Sequence, residues 1–163
     1  MQYLQDLHKY SIFGGLLNDQ LEKILPMIET EDYAAGTNII IEETTNDKIF
    51  LILEGRVLVS RKGLNLYEFS AGEAFGEMEV LEIMPSAATI RTMCQTKLLT
   101  LSYKALRDIY KLDIKIFSMI IMNLARDLSR RLRVMNDIVA RQKRPEAEPQ
   151  AFDFQNSPEN FIP

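Results

Sequence analysis

The sequence predicts a mainly β α+β domain: an antiparallel sandwich or roll held between short N-terminal helices and a long C-terminal helix. Three observations carry this. Short aliphatic runs follow one another closely from about residue 32 and are cut by Gly-containing turns. A helical period precedes them and a longer one follows. The chain has 163 residues, 47% of them hydrophobic and 26% charged, which suits one domain with a real core.

Helical segments are expected over residues 3–28. Residues 3–12 are weakly amphipathic, and Gly14-Gly15 ends them. Asn18 and Asp19 supply start chemistry for a second helix carrying Leu21, Ile24, Leu25 and Ile28. The β region spans about residues 30–101, with NIIIEE, IFLILEG, RVLVSR, LNLYEF and LLTLS as its strand-like runs. Ala35-Gly36, Asn46-Asp47, Glu54-Gly55, Lys62-Gly63 and Ala71-Gly72 supply the turns. Residues 77–83 are too short and too acidic for a strand and read as one or two helical turns. Ser102 is a suitable N-cap for a helix over about 103–111, followed by a long helix over about 113–141. The domain is therefore expected over 1–141, with 142–163 as an acidic, proline-containing tail without secondary structure.

Charge divides the chain into blocks. Residues 1–125 hold 12 basic and 17 acidic side chains, whereas 126–144 hold seven basic and two acidic ones. Residues 145–163 hold four acidic side chains and no basic ones. The overall charge of -4 excludes a generally basic nucleic-acid coat. The single Cys94, read as a buried strand residue, excludes an intrachain disulfide and a Cys-based zinc site. His8 alone excludes a multi-His metal centre, so no metal is expected. No apolar run has membrane-spanning length and no signal-peptide core is visible, so the chain reads as cytoplasmic with no membrane contact.

The stretch with chemical content is Phe75-Gly76-Glu77, a short helical segment, then Pro85-Ser86-Ala87-Ala88-Thr89. A glycine at the mouth of a short helix lets backbone approach a ligand, and the first-turn N–H groups suit an anion. Glu77 beside that turn can accept hydrogen bonds from a sugar hydroxyl. Glu77, Glu79 and Glu82 lack a histidine, metal-ligand or nucleophile partner, so no enzyme is expected.

This pattern resembles the phosphate-binding cassette of the cyclic nucleotide-binding domain family, the β-roll of catabolite activator-type regulators and protein kinase A regulatory subunits. Phe13, Leu16, Tyr33, Gly36, the run Ile52-Leu53-Glu54-Gly55-Arg56-Val57, Gly72-Glu73 and Ser102 extend the resemblance over roughly residues 10–140. It implies an antiparallel eight-stranded β-roll, a cassette helix and a closing C-terminal helix. It also implies a site containing Gly76, Glu77, Ser86, Ala87 and Ala88, with Ala87 offering a backbone N–H. Two departures stand out. The family's phosphate-pairing arginine falls at Ser86, and a normally small position is Glu79. Hydrogen bonds to charged groups contribute ~1.5–3 kcal/mol, so the loss weakens phosphate binding roughly 10- to 150-fold. The pocket is then open to three uses: a weakly bound cyclic nucleotide such as cAMP or cGMP, another small ligand, or protein contacts with no ligand at all.

In the long helix, Ile114, Phe117, Ile121, Leu124, Leu128, Arg131, Met135 and Ile138 follow alternating spacings of three and four, with Ile116, Ile120 and Leu132 beside them. They predict a homodimer seam centred on Leu124 and Leu128. The resemblance puts Arg131 where the helix faces the ligand's base. Residues 142–163 show no helix-turn-helix pattern, so DNA reading by this chain alone is not expected. Phe152, Phe154 and Phe161 mark the acidic tail as a docking segment for its own domain, a dimer mate or another protein. The resulting expectation is a non-catalytic regulatory module with weakened cyclic nucleotide binding that signals through protein contacts. A ligand-independent dimerisation and docking scaffold is the alternative.

Overall fold

The computed structural model describes residues 7–142. The strands, in chain order, are β1 (Glu29–Tyr33), β2 (Asn38–Ile40), β3 (Lys48–Glu54), β4 (Arg56–Arg61), β5 (Leu64–Ser70), β6 (Ala74–Phe75), β7 (Thr89–Thr92) and β8 (Thr96–Ser102). The helices are α1 (Asn18–Ile24), α2 (Glu77–Glu82), α3 (Tyr103–Leu112) and α4 (Ile114–Gln142). The eight strands form two antiparallel four-stranded sheets, ordered β1-β8-β3-β6 and β2-β7-β4-β5. This is the expected eight-stranded antiparallel roll.

Burial on both faces explains why the β3 run is continuously apolar. Ile49, Leu51 and Leu53 point into one core with the helices. Their alternates Phe50 and Ile52 point into a second core with Ile40, Val57, Val59, Phe69, Phe75, Ile90 and Leu98. Inside that second core Phe50 stacks on Phe75 with centroids 5.1 Å apart. Strand β1, ETEDY, is mostly exposed and lies at a sheet edge, which is why its sequence carries no apolar alternation.

The N-terminal elements differ from the expectation. In place of a helix over 3–12, the described part consists of 3-10 turns at 7–9 and Ser11–Phe13. Leu17 is the N-cap of α1, its N–H donating to the Gln20 side chain at 2.9 Å, and the helix tightens to a 3-10 turn over Leu25–Met27. Ser102 caps α3 as expected, accepting from the Ala105 N–H at 3.1 Å. Cys94 lies in the bend between β7 and β8 and is half-exposed, not in a strand. The acidic tail, from residue 143 onward, and the docking expected of its phenylalanines fall outside the described residues.

The chain divides into two compact units, residues 1–128 and 129–163. In the first, α4 presents Ile116, Ile120 and Leu124 to the helix-side core. Their spacing of four is that of an α-helix packed on a roll. Leu124 is only 1% exposed and therefore cannot form the centre of a dimer seam. Phe117, Ile121 and Leu128 are half-buried and Ile114 is exposed. Asn123, also buried, donates from Nδ2 to the Ile12 and Gly14 carbonyls at 3.2 and 2.8 Å. The Ser11 hydroxyl donates to Asp127 at 2.6 Å. These bonds fasten the N-terminal turn to α4. In the second unit Leu132, Val134, Met135, Ile138 and Val139 are exposed apolar residues.

Candidate functional site

The cassette is the chain from Phe75 to Thr89, which connects β6 in one sheet to β7 in the other. Gly76 precedes α2 with φ +80°. A Cβ there would sit 2.6 Å from the Lys48 carbonyl oxygen and 3.0 Å from Asn46 Nδ2. The sequence suggested a glycine kept for a ligand; the backbone of β3 and the left-handed conformation already require it. Gly76 gives α2 no side-chain cap. The helix buries Glu77 and Val80 and turns Met78 and Leu81 outward. It ends at Ile83, which adopts φ +58° and donates its N–H to the Glu79 carbonyl at 2.9 Å.

Both ends of the cassette are tied to one loop, residues 41–47 between β2 and β3. Asn46 Nδ2 donates to the Lys48 carbonyl at 2.7 Å and to the Gly76 carbonyl at 3.2 Å. At the other end, the Ser86 N–H donates to the Thr44 carbonyl, and the Glu43 N–H donates to the Ser86 carbonyl, each at 2.8 Å. Glu43 itself has φ +65°. Sequence reasoning found the turn at Asn46-Asp47 but not this role. An Asn two residues before a strand, able to bond backbone on both sides, is the signal it offers.

Glu77 is 4% exposed and Ser86 1%. The Ser86 hydroxyl has no hydrogen-bond partner among the described residues. A buried hydroxyl without a partner is uncommon in a folded protein and marks a place where a ligand can bond. Ala87 is exposed, while Ala88 packs on the core inside the roll. Glu79 is half-exposed. Arg131 lies on α4 in the second unit and is half-buried. The structure thus gathers Gly76, Glu77, Ser86, Ala87 and Ala88 around one loop. No group of three or more His, Cys, Asp or Glu side chains among the described residues is placed to hold a metal ion.

The model of the cyclic nucleotide-binding domain matches residues 30–113. The chain belongs to the cyclic nucleotide-binding domain family. The cAMP-dependent protein kinase regulatory subunit of Eremothecium gossypii is 30% identical over 96 residues, which is 58% of this chain and 21% of that protein. A cyclic nucleotide-binding domain from Methylobacillus flagellatus is 22% identical and superposes with a TM-score of 0.81, covering 89% of this chain and 86% of that one. The catabolite activator protein of Thermus thermophilus is 24% identical with a TM-score of 0.69, covering 80% and 62%. These two likenesses show the fold. The chain spans 11% to 27% of the length of the curated relatives it matches.

The buried Glu77 carboxyl is of a type that can accept from a sugar hydroxyl. Ser86 does not fit the anion: its side chain is neutral and short, and bidentate pairing with a phosphate is beyond it. No helix among the described residues is long and apolar enough to cross a membrane.

Proposed function

We propose that this chain is a non-catalytic regulatory module whose cassette retains its frame, binds cyclic nucleotides weakly, and acts through protein contacts as a homodimer. The observation that carries the weak binding is Ser86. By the resemblance it falls at the family's arginine position; it is 1% exposed and is held by backbone bonds through its N–H and its carbonyl. A hydroxyl supplies one neutral hydrogen bond where a guanidinium supplies two charge-assisted ones. The deficit of ~1.5–3 kcal/mol moves a micromolar site toward the millimolar range. Calorimetric titration of the wild type with cAMP and cGMP tests this. Weak or undetectable heats are expected, and a low-micromolar or tighter site overturns the reading.

Dimerisation is supported by the exposed apolar residues on α4 after Leu128. Leu132, Met135 and Val139 recur at spacings of three and four, with Ile138 beside them. The same residues favour the second reading, a scaffold that docks without a ligand, because an exposed apolar stripe is the mark of an interaction surface. Thermal-shift measurements with cyclic nucleotides separate the two. A ligand at 100 times its dissociation constant adds ~2.7 kcal/mol of stability, and a ligand-independent scaffold gains nothing.

A further inference from the structure

We infer that the cassette takes an uncharged ribonucleoside in preference to cyclic or linear nucleotides. The inference rests on the reading that the cassette still holds a ligand. Residues 76–89 contain Glu77, Glu79 and Glu82 and no Lys, Arg or His. The loop that pins both ends, with the first residue of β3, adds Glu42, Glu43 and Asp47 against Lys48 alone. Lys48 is committed to Glu31 at 2.7 Å. Of the other cations in the two sheets, Arg56 lies 3.7 Å from Glu68, Lys97 lies 3.7 Å from Asp32, Arg91 donates to the Gly36 carbonyl at 2.8 Å, and Arg61 is exposed at the last position of β4. An anion entering the cassette gives up its hydration and gains no cation from the cassette or the loop that pins it. It also enters a field of carboxylates, which lowers its local concentration before it arrives.

A neutral ligand escapes both penalties. The buried Ser86 hydroxyl, without a partner among the described residues, can donate to or accept from a ligand hydroxyl. The buried carboxyl of Glu77 is an acceptor for a vicinal diol. A ribonucleoside keeps the sugar and base of the family's ligand, offers such a diol, and omits the phosphate that this cassette has no means to neutralise.

The test is calorimetric titration of the full chain with adenosine, guanosine and inosine, run beside cAMP, cGMP and AMP. At least one nucleoside is expected to bind ten times more tightly than its cyclic monophosphate, with the gap narrowing at high salt as the acidic field is screened. In Ser86→Arg the order reverses; the melting temperature of the unliganded variant reports whether it folds. Ser86→Ala, which fits the same space, weakens the nucleoside several-fold and leaves the ranking intact. If cyclic nucleotides bind wild type as tightly as nucleosides, the inference is overturned, and a low-micromolar cyclic nucleotide overturns the weakened-binding reading with it. If cyclic nucleotides bind weakly and no nucleoside binds at 1 mM (about -4 kcal/mol), the inference falls and the weakened-binding reading stands.

Discussion

At position 86 one side chain decides whether the cassette carries a positive charge. Ser86→Arg is expected to raise cyclic nucleotide affinity roughly 10-fold or more, read by calorimetry. Glu79→Ala on that background shows by its non-additivity whether the half-exposed Glu79 opposes the anion. A second residue cluster sets an acid-side dependence. The Lys48 ammonium and the Tyr33 hydroxyl both donate to the Glu31 carboxylate across β1 and β3. Burial pushes the Glu31 carboxyl up, but the hydrogen bonds from Lys48 and Tyr33 outweigh it and hold it below the usual carboxylate range. A lowered folded-state value contributes stability above that range, and the contribution is lost as pH falls through it. Lys48→Met should therefore cost up to about 1 kcal/mol at neutral pH, since the pair is part-exposed. Urea titrations should show the difference vanish in strong acid. That Gly76, Glu77 and Ser86 lie close together was legible, because they belong to one contiguous motif. The reason for Gly76 was not: the Lys48 carbonyl that forbids a Cβ comes from a strand 28 positions earlier in the sequence.

Among the elements, α4 separates what periodicity can and cannot say. A heptad seam and an α-helical stripe share many positions over a few turns, since 3.5 and 3.6 residues per turn diverge slowly. Both patterns contain Leu124; only the packing shows it belongs to the row of Ile116 and Ile120. Leu124→Ala is accordingly expected to cost about 2–5 kcal/mol of fold stability by denaturant unfolding. Met135→Glu with Ile138→Glu should leave the roll's stability nearly unchanged and weaken self-association. Asn123→Ala removes the donor to the Ile12 and Gly14 carbonyls, which lie in a partly buried turn. A loss of about 1–3 kcal/mol is expected, visible as early hydrogen exchange at residues 10–16. Strands with buried apolar faces, β3, β4 and β8, were readable as apolar runs. Strands β1, β6 and β7 were not, because one is polar and edge-exposed and the others have only two and four residues.

For the molecule as a whole, the expected species in light scattering at ~100 μM is a dimer, which tests the exposed stripe on α4 because contiguous exposed apolar surface marks an interaction site. A monomer at that concentration would remove the dimer from the proposal. Two connections of the roll also have unequal standing for anyone who wishes to attach a reporter. At the β4–β5 tip, a Cβ on Gly63 would meet nothing within 4 Å, so an inserted fluorophore or peptide there has open space. The loop before β3 is the opposite case. Glu43, Thr44 and Asn46 hold Ser86 and Gly76 together, so lengthening it by even one residue lets the two halves of the cassette drift apart. An insertion scan should therefore give a silent label at Lys62–Gly63 and a chain that folds but loses the proposed ligand binding when the insertion falls between Thr44 and Asn46.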